Sequence, residues 1–311
     1  MYKLTVIIPY YQQQAGVLSR TLRSISAQSA FCEIEQLIIV DDGSPIAAQT
    51  ELAAQAQELI AITHVICQCN RGVSSARNTG LSYAHGKAQY IALLDSDDIW
   101  RPSHVAQMLR AFELGAQFYF TNFIQPDQSI SAFKRAGKMV LDQHKKIEGS
   151  TYSYQHDMME QILTGNIIGT PTVGFCSAKY SKLRFNEELR FAGEDYLFWL
   201  DIAASDPNIM FNHQVLTECG KGVNIFASAA WGTKHLQQRL VDELNFKKLV
   251  VRKYLLTNST LAVVNQQLWR NRKKIILNNV SRLKHLQWSA FFDLLKIAIA
   301  DPKLLIALFK A

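Results

Sequence analysis

Residues 1–120 alternate short apolar runs with stretches of helical spacing, and three of the runs stop abruptly in polar or acidic residues. Residues 4–9, 36–40, 63–67, 90–94 and 118–122 read as strands. Residues 17–27, 47–60, 73–84 and 102–114 read as helices, the last with Pro102 near its first turn. Strands that are near-continuously apolar and separated by helices belong to a mostly parallel sheet covered on both faces. The expected fold class is therefore α/β, a Rossmann-like sheet flanked by helices. Ligands of such sheets bind at the carboxyl ends of the strands. The three punctuations (Pro9–Tyr11, Asp41–Ser44 and Asp95–Asp98) all fall there, so they converge on one crevice although thirty to fifty residues separate them in sequence.

The sharpest of the three is Leu94-Asp95-Ser96-Asp97-Asp98, in which a buried run ends in three carboxylates within four residues. Buried carboxylates cost several kcal/mol each unless something positive pairs with them, on the order of the cost of any unpaired buried ion. A divalent cation with a phosphate ligand supplies that pairing at a sheet rim. A strand-end turn with a helix cap is the plainer alternative.

The 311 residues, 48% of them hydrophobic, suffice for one large or two smaller domains. Five scattered cysteines, an odd number, fit a reduced cytoplasmic protein better than a disulfide framework. No basic, apolar leader is apparent, and no run reaches the roughly 18 apolar residues of a spanning helix. The histidines, His235 after Trp231-Gly232-Thr233 among them, have no partners at metal-ligand spacing. The net charge of +7 is uneven: residues 1–219 hold 17 Lys+Arg against 22 Asp+Glu, and residues 220–311 hold 16 against 4.

Five segments in this order and spacing resemble the family 2 glycosyltransferases of GT-A fold: Val6–Tyr11, Ile39–Ser44, Asn70–Asn78, Leu94–Asp98 and Gly193–Asp195. The resemblance covers about residues 3–200. It implies a GT-A catalytic domain over 1–220, with nucleotide-sugar binding in 1–120 and acceptor binding in 121–220, followed by a helical basic region over 221–311. The implied reaction is inverting transfer from a nucleotide-sugar donor, UDP-linked, to a saccharide or lipid-linked acceptor in envelope polysaccharide, capsule or lipopolysaccharide synthesis. The resemblance also assigns residues. Asp42 would accept the N3–H of uracil, or else make an Asx-turn with Gly43. Asp41 would support the turn or reach the ribose. Pro9 and Tyr11 would line the base pocket. Arg71, Gly72 and Arg77 would contact the diphosphate, or Arg77 would pair with the Asp cluster. Asp97, with Asp95 and Ser96 beside it, would hold Mn²⁺ or Mg²⁺. Asp98 would cap the next helix or orient its neighbours. Asp195 would be the general base and Glu194 an acceptor binder, unless both merely favour a helix N-terminus. A non-catalytic nucleotide-sugar-binding or assembly scaffold of the same fold is the rival.

The basic tail carries two apolar, aromatic, Lys-flanked segments, 288–300 and 303–310. These suit helices lying in an anionic membrane surface at the inner face of the cytoplasmic membrane, a bundle packed on the catalytic domain, or a homodimer contact. No nucleic-acid motif accompanies the positive charge, so nucleic acid is not an expected partner.

Overall fold

The computed structural model describes residues 4–221 and 230–309; the ends of the expected 221–311 region, 222–229 and 310–311, lie outside the described residues. The chain divides into two compact units, Met1–Phe185 with Phe198–Val223, and Asn186–Leu197 with Asn224–Ala311.

The first unit is built on a ten-stranded sheet. Its strands are β1 (Leu4–Tyr10), β2 (Ile34–Asp41), β3 (Thr63–Cys67), β4 (Tyr90–Leu93), β5 (Ile99–Trp100), β6 (Phe118–Ile124), β7 (Lys145–Glu148), β8 (Thr151–Ser153), β9 (Gly174–Cys176) and β10 (Ile209–Glu218). The order is β3-β2-β1-β4-β9-β6-β10-β8-β7, with β5 paired to β10. The leading half, β3-β2-β1-β4, is parallel throughout, as the apolar runs require. Every residue of β1 is buried, because β2 and β4 flank it and helices cover its faces. Val6, Ile8 and Ile39 share a core cluster with Leu18, Leu22 and Ile25 of the helix Val17–Ser26.

Strand order reverses between β1 and β4, since the chain winds outward through β2 and β3 before returning. A crevice opens at such a point because the two adjacent strands send their connections in opposite directions. Pairing of β1 with β4 ends at Ile7↔Leu93, while pairing with β2 continues to Tyr10↔Asp41. Pro9, which has no N–H to donate, therefore sits beyond the last β4 pair, where no ladder bond is lost.

The elements differ from the sequence reading in three places. The helix expected over 47–60 is two short ones, Ala48–Leu52 and Gln57–Ala61. The Gln55 side-chain amide donates to the Glu51 carbonyl, the acceptor that a continuing helix would offer to the Gln55 N–H. Residues 125–165, where no element is read from the sequence, hold β7, β8 and the helices Ala132–Ala136 and Met158–Gly165, capped by Ser131 and Asp157. Ile99 and Trp100, between the acidic turn and the next helix, pair with Glu218 and Thr217 of β10 as a strand not read from the sequence.

In the second unit the helices are Lys234–Lys253, Asn258–Lys284, Ser289–Ala300 and Lys303–Phe309. Ion pairs join them: Arg272 to Asp301, both buried, and the buried Arg282 to the half-buried Asp293. Asn186–Leu197, expected within the catalytic domain, groups here. The Phe191 N–H donates to Asp242 Oδ2 at 2.8 Å, and the Tyr196 ring meets Phe246 edge-on. No helix among the described residues is long and apolar enough to cross a membrane.

Candidate active site

The carboxyl ends of β2, β3 and β4 each extend by one more backbone contact. The Asp42 N–H donates to the Tyr10 carbonyl, Gln68 to that of Asp41, and Leu94 to that of Ile7. These bonds carry the sheet register past the strand ends and fix where the next side chains emerge.

Asp41 and Asp42 are adjacent and have different partners. Asp41 Oδ1 accepts the Ser44 N–H at 2.8 Å and Oδ2 the Ala48 N–H at 2.9 Å. Its carboxylate holds the turn and starts the following helix. Asp42 reaches across to the loop after β3. Its Oδ1 accepts from the Gln68 side-chain amide (2.7 Å) and the Arg71 N–H (2.9 Å), and its Oδ2 from the Gly72 N–H (2.8 Å). The Asx-turn with Gly43 is thus not its bonding pattern. Gly72 has φ 95° and ψ 166°, a region reserved for glycine. This conformation aims its N–H at Asp42 just before the helix Val73–Ala84 begins. Gln68 is fixed in turn, its Oε1 accepting the Thr79 hydroxyl at 2.7 Å. The Arg71 side chain is exposed and Tyr11 half-buried, while Pro9 is buried in its strand.

After β4, Asp95 and Asp97 are half-buried, and Ser96 and Asp98 are buried. Arg77, 4% exposed, pairs with Asp95 Oδ1 at 2.8 Å and lies over the Phe185 ring. Ser96 ties the acidic turn to the start of the chain: its Oγ accepts from the Gln12 amide and its carbonyl from the Thr21 hydroxyl. Asp98 does not cap a helix. It accepts the Gly220 N–H at 2.7 Å, and the helix His104–Glu113 starts at Ser103 with no side-chain cap. Burial, then the neighbouring Asp95 and Asp97 charges, push the Asp98 carboxyl well above the usual carboxylate range. Gly220 comes so close that a Cβ there would clash with the Asp97 carbonyl oxygen. The strand end of β10 is thereby pressed against the acidic turn.

Among the described residues, no set of three or more His, Cys, Asp or Glu side chains forms a ready-made metal cage. The half-buried pair Asp95 and Asp97 nonetheless fits Mg²⁺ or Mn²⁺. Such hard cations are held by one or two carboxylates, with substrate phosphates and water completing the shell.

In the second unit, Glu194 and Asp195 open the helix Glu194–Ala203, whose first backbone bond runs from Leu197 to Gly193. Both are half-buried, and Asp195 Oδ1 accepts the Tyr196 N–H at 2.8 Å. Gly193 has φ 92°, and a Cβ there would meet Phe246 at 2.7 Å. His235 is exposed on the helix Lys234–Lys253.

Within the first unit the fold gathers Tyr11, Asp41, Asp42, Arg71, Gly72, Arg77, Asp95, Ser96 and Asp97 at the carboxyl edge of β1 to β4, with Pro9 inside β1. Sequence reasoning missed Gln68, Gln12 and Gly220. The strand-end rule applied to β3 points to Gln68; nothing local marks Gly220.

The family model described as Glycosyl transferase family 2 matches residues 5–183. The succinoglycan biosynthesis protein ExoW of Rhizobium meliloti is 31% identical over 231 residues, 73% of this chain and 72% of ExoW. An uncharacterized glycosyltransferase of Rickettsia conorii is 28% identical over 66% of this chain, which spans only 30% of that relative. Among solved structures, S. aureus TarS 1-349 in complex with UDP-GlcNAc aligns over 96% of this chain and 92% of its own, at TM-score 0.60 and 16% identity. The mannosyltransferase PcManGT from Pyrobaculum calidifontis, in complex with GDP-Man and Mn²⁺, aligns over 99% of this chain and 86% of its own, also at TM-score 0.60 and with 14% identity. These two likenesses show a shared fold. With the family model covering more than half of its length, the chain belongs to glycosyl transferase family 2.

Proposed function

We propose that this chain is an inverting, metal-dependent glycosyltransferase that moves one sugar from a UDP-sugar to a saccharide or lipid-linked acceptor in cell-envelope polysaccharide synthesis, working peripherally at the inner face of the cytoplasmic membrane. The observation that carries this is the placement of Asp42 after β2 and of Asp95 and Asp97 after β4, on either side of the point where strand order reverses. Base reading and phosphate handling belong there. The likeness to ExoW and to TarS bound to UDP-GlcNAc supports the polysaccharide and uridine parts.

Asp42 has about four acceptor positions on its two oxygens, and three are used by Gln68, Arg71 and Gly72. The remaining one suits the N3–H of uracil, with Tyr11 offering its ring face to the base. The exposed Arg71 guanidinium approaches the diphosphate, and Arg77 acts through Asp95. Asp97, with Asp95, would hold the metal, whose bound form supplies charge neutralisation on the departing nucleoside diphosphate. Asp195 takes the acceptor hydroxyl proton as that oxygen bonds to the anomeric carbon. The carbon–oxygen bond to the phosphate breaks on the opposite face, which inverts the centre. Glu194 orients the acceptor.

Nucleotide release and transfer, measured with UDP-, GDP-, CMP- and dTDP-sugars with and without Mn²⁺, test this. Metal-dependent turnover of a UDP-sugar is expected, and the product anomer read by NMR should be inverted. Absence of metal-dependent hydrolysis or transfer across the panel would sink the proposal.

A further inference from the structure

The helix Ser289–Ala300 wears its large apolar side chains on the outside. Ala290 and Ala298 are its buried residues. Phe291, Phe292, Leu295 and Ile299, with Trp288 at the N-cap, are 51–74% exposed. At 100° per residue these five fall within an arc of about 100°, so they form one stripe. Soluble helices do the reverse, hiding aromatic and branched residues and exposing alanine. In the next helix, Leu305 and Ile306 are exposed while Leu304 and Ala307 are buried. The turn between helices adds to the pattern. Leu286 is 74% exposed and has φ 59°, the left-handed region that a bulky residue enters only at a cost. Glycine or asparagine would form that turn with less strain, so packing does not explain a leucine there.

Charge distinguishes what covers such a stripe. The two acids of this segment point inward: Asp293 pairs with Arg282, and Asp301 with the buried Arg272. Lys284, Lys296 and Lys303, before, within and after the helix, are exposed. An apolar stripe rimmed by outward lysines and stripped of outward acids complements a surface that is apolar beneath and anionic at its rim. A second copy of this face would instead bring lysines against lysines.

We infer that the Trp288–Ile299 face is a lipid-docking surface that inserts Trp288, Phe291 and Phe292 among the acyl chains of an anionic leaflet while the three lysines meet its headgroups. This sharpens the membrane placement in the function proposed above, and only its purpose, bringing the site beside a lipid-linked acceptor, rests on that reading.

Flotation of the full chain with vesicles of phosphatidylcholine alone, or of a two-to-one mixture with phosphatidylglycerol, tests it. Partitioning into the anionic vesicles should exceed that into neutral ones by about tenfold or more and weaken with salt. Phe291→Ser with Phe292→Ser should lower it by about tenfold or more, as should Lys284→Gln, Lys296→Gln and Lys303→Gln together. All five side chains are exposed, so circular dichroism should show an unchanged fold, and donor hydrolysis without vesicles should persist. Failure of the wild-type chain to bind anionic vesicles overturns the inference. So does binding indifferent to the Phe substitutions, or a dimer by light scattering that those substitutions dissolve in a chain that ignores vesicles. Loss of donor hydrolysis with vesicle binding intact would instead count against the proposed enzyme.

Discussion

At the scale of single residues, Asp42 shows how one carboxylate can organise a site before any ligand arrives. It clasps the loop after β3 through three N–H donors, and one donor, Gln68, is itself held by Thr79. Gln68→Ala removes one such bond, worth about 1 kcal/mol. The dissociation constant for UDP should therefore rise about two- to tenfold in calorimetry, with kcat nearly unchanged. Asp195 belongs to the chemistry and not to donor binding in the proposed reaction. Asp195→Asn should lower kcat for transfer by about 10²–10⁴-fold, while the donor KM stays within about twofold in steady-state kinetics. The candidate residues were legible because carboxylates at strand ends are chemically conspicuous. A glutamine such as Gln68 carries no charge to draw notice, and only its place at the end of β3 and the partner the fold sets beside it mark it.

At the scale of elements, the strands nearest the site were legible and the peripheral ones were not. Fully buried parallel strands such as β1 and β2 announce themselves as apolar runs. The short strands β5, β7 and β8 exist because β10 or a neighbour offers a ladder, which no local pattern records. The same long-range logic places Gly220, at the end of β10, against Asp97. Gly220→Ala must displace one of the two backbones, since its Cβ would clash with the Asp97 carbonyl oxygen. Such overpacking costs about 1–3 kcal/mol. A drop in thermal midpoint together with loss of metal-dependent donor binding is expected. The packing beside β5 also sets a pH response. His104 is buried and stacked on Trp100, and burial lowers its pKa from 6.5 to about 3. The folded chain therefore holds it neutral while the unfolded chain protonates it. Its contribution is full above pH 6.5 and is lost as pH falls from there toward 3, at about 1.4 kcal/mol per pH unit. Denaturant midpoints should fall less steeply over that range in His104→Gln than in the wild type.

At the scale of the molecule, charge and chemistry are segregated along the chain. The strand-built front is net acidic, with Asp41, Asp42, Asp95, Asp97 and Asp98 at one sheet edge, and the helical tail carries 16 Lys+Arg against 4 Asp+Glu. That division was readable from composition. The grouping of Asn186–Leu197 with the tail was not, because it rests on contacts such as Phe191 to Asp242 that join residues some fifty positions apart. A ligand that binds only the folded chain stabilises the whole by mass action, about 2.7 kcal/mol at a hundred times its dissociation constant. The proposed site therefore predicts a selective melting response. UDP-sugar with Mn²⁺ should raise the thermal midpoint by several degrees, and GDP-, CMP- and dTDP-sugars should raise it little. Without metal, the negative diphosphate must approach Asp95 and Asp97 unscreened, so the UDP-sugar shift should shrink. Asp97→Ala should abolish the difference between metal and no metal while keeping a residual response through Asp42. A full metal-dependent shift without turnover on any acceptor would identify a nucleotide-sugar-binding scaffold. A shift that persists unchanged in Asp97→Ala would place the metal elsewhere than the turn after β4.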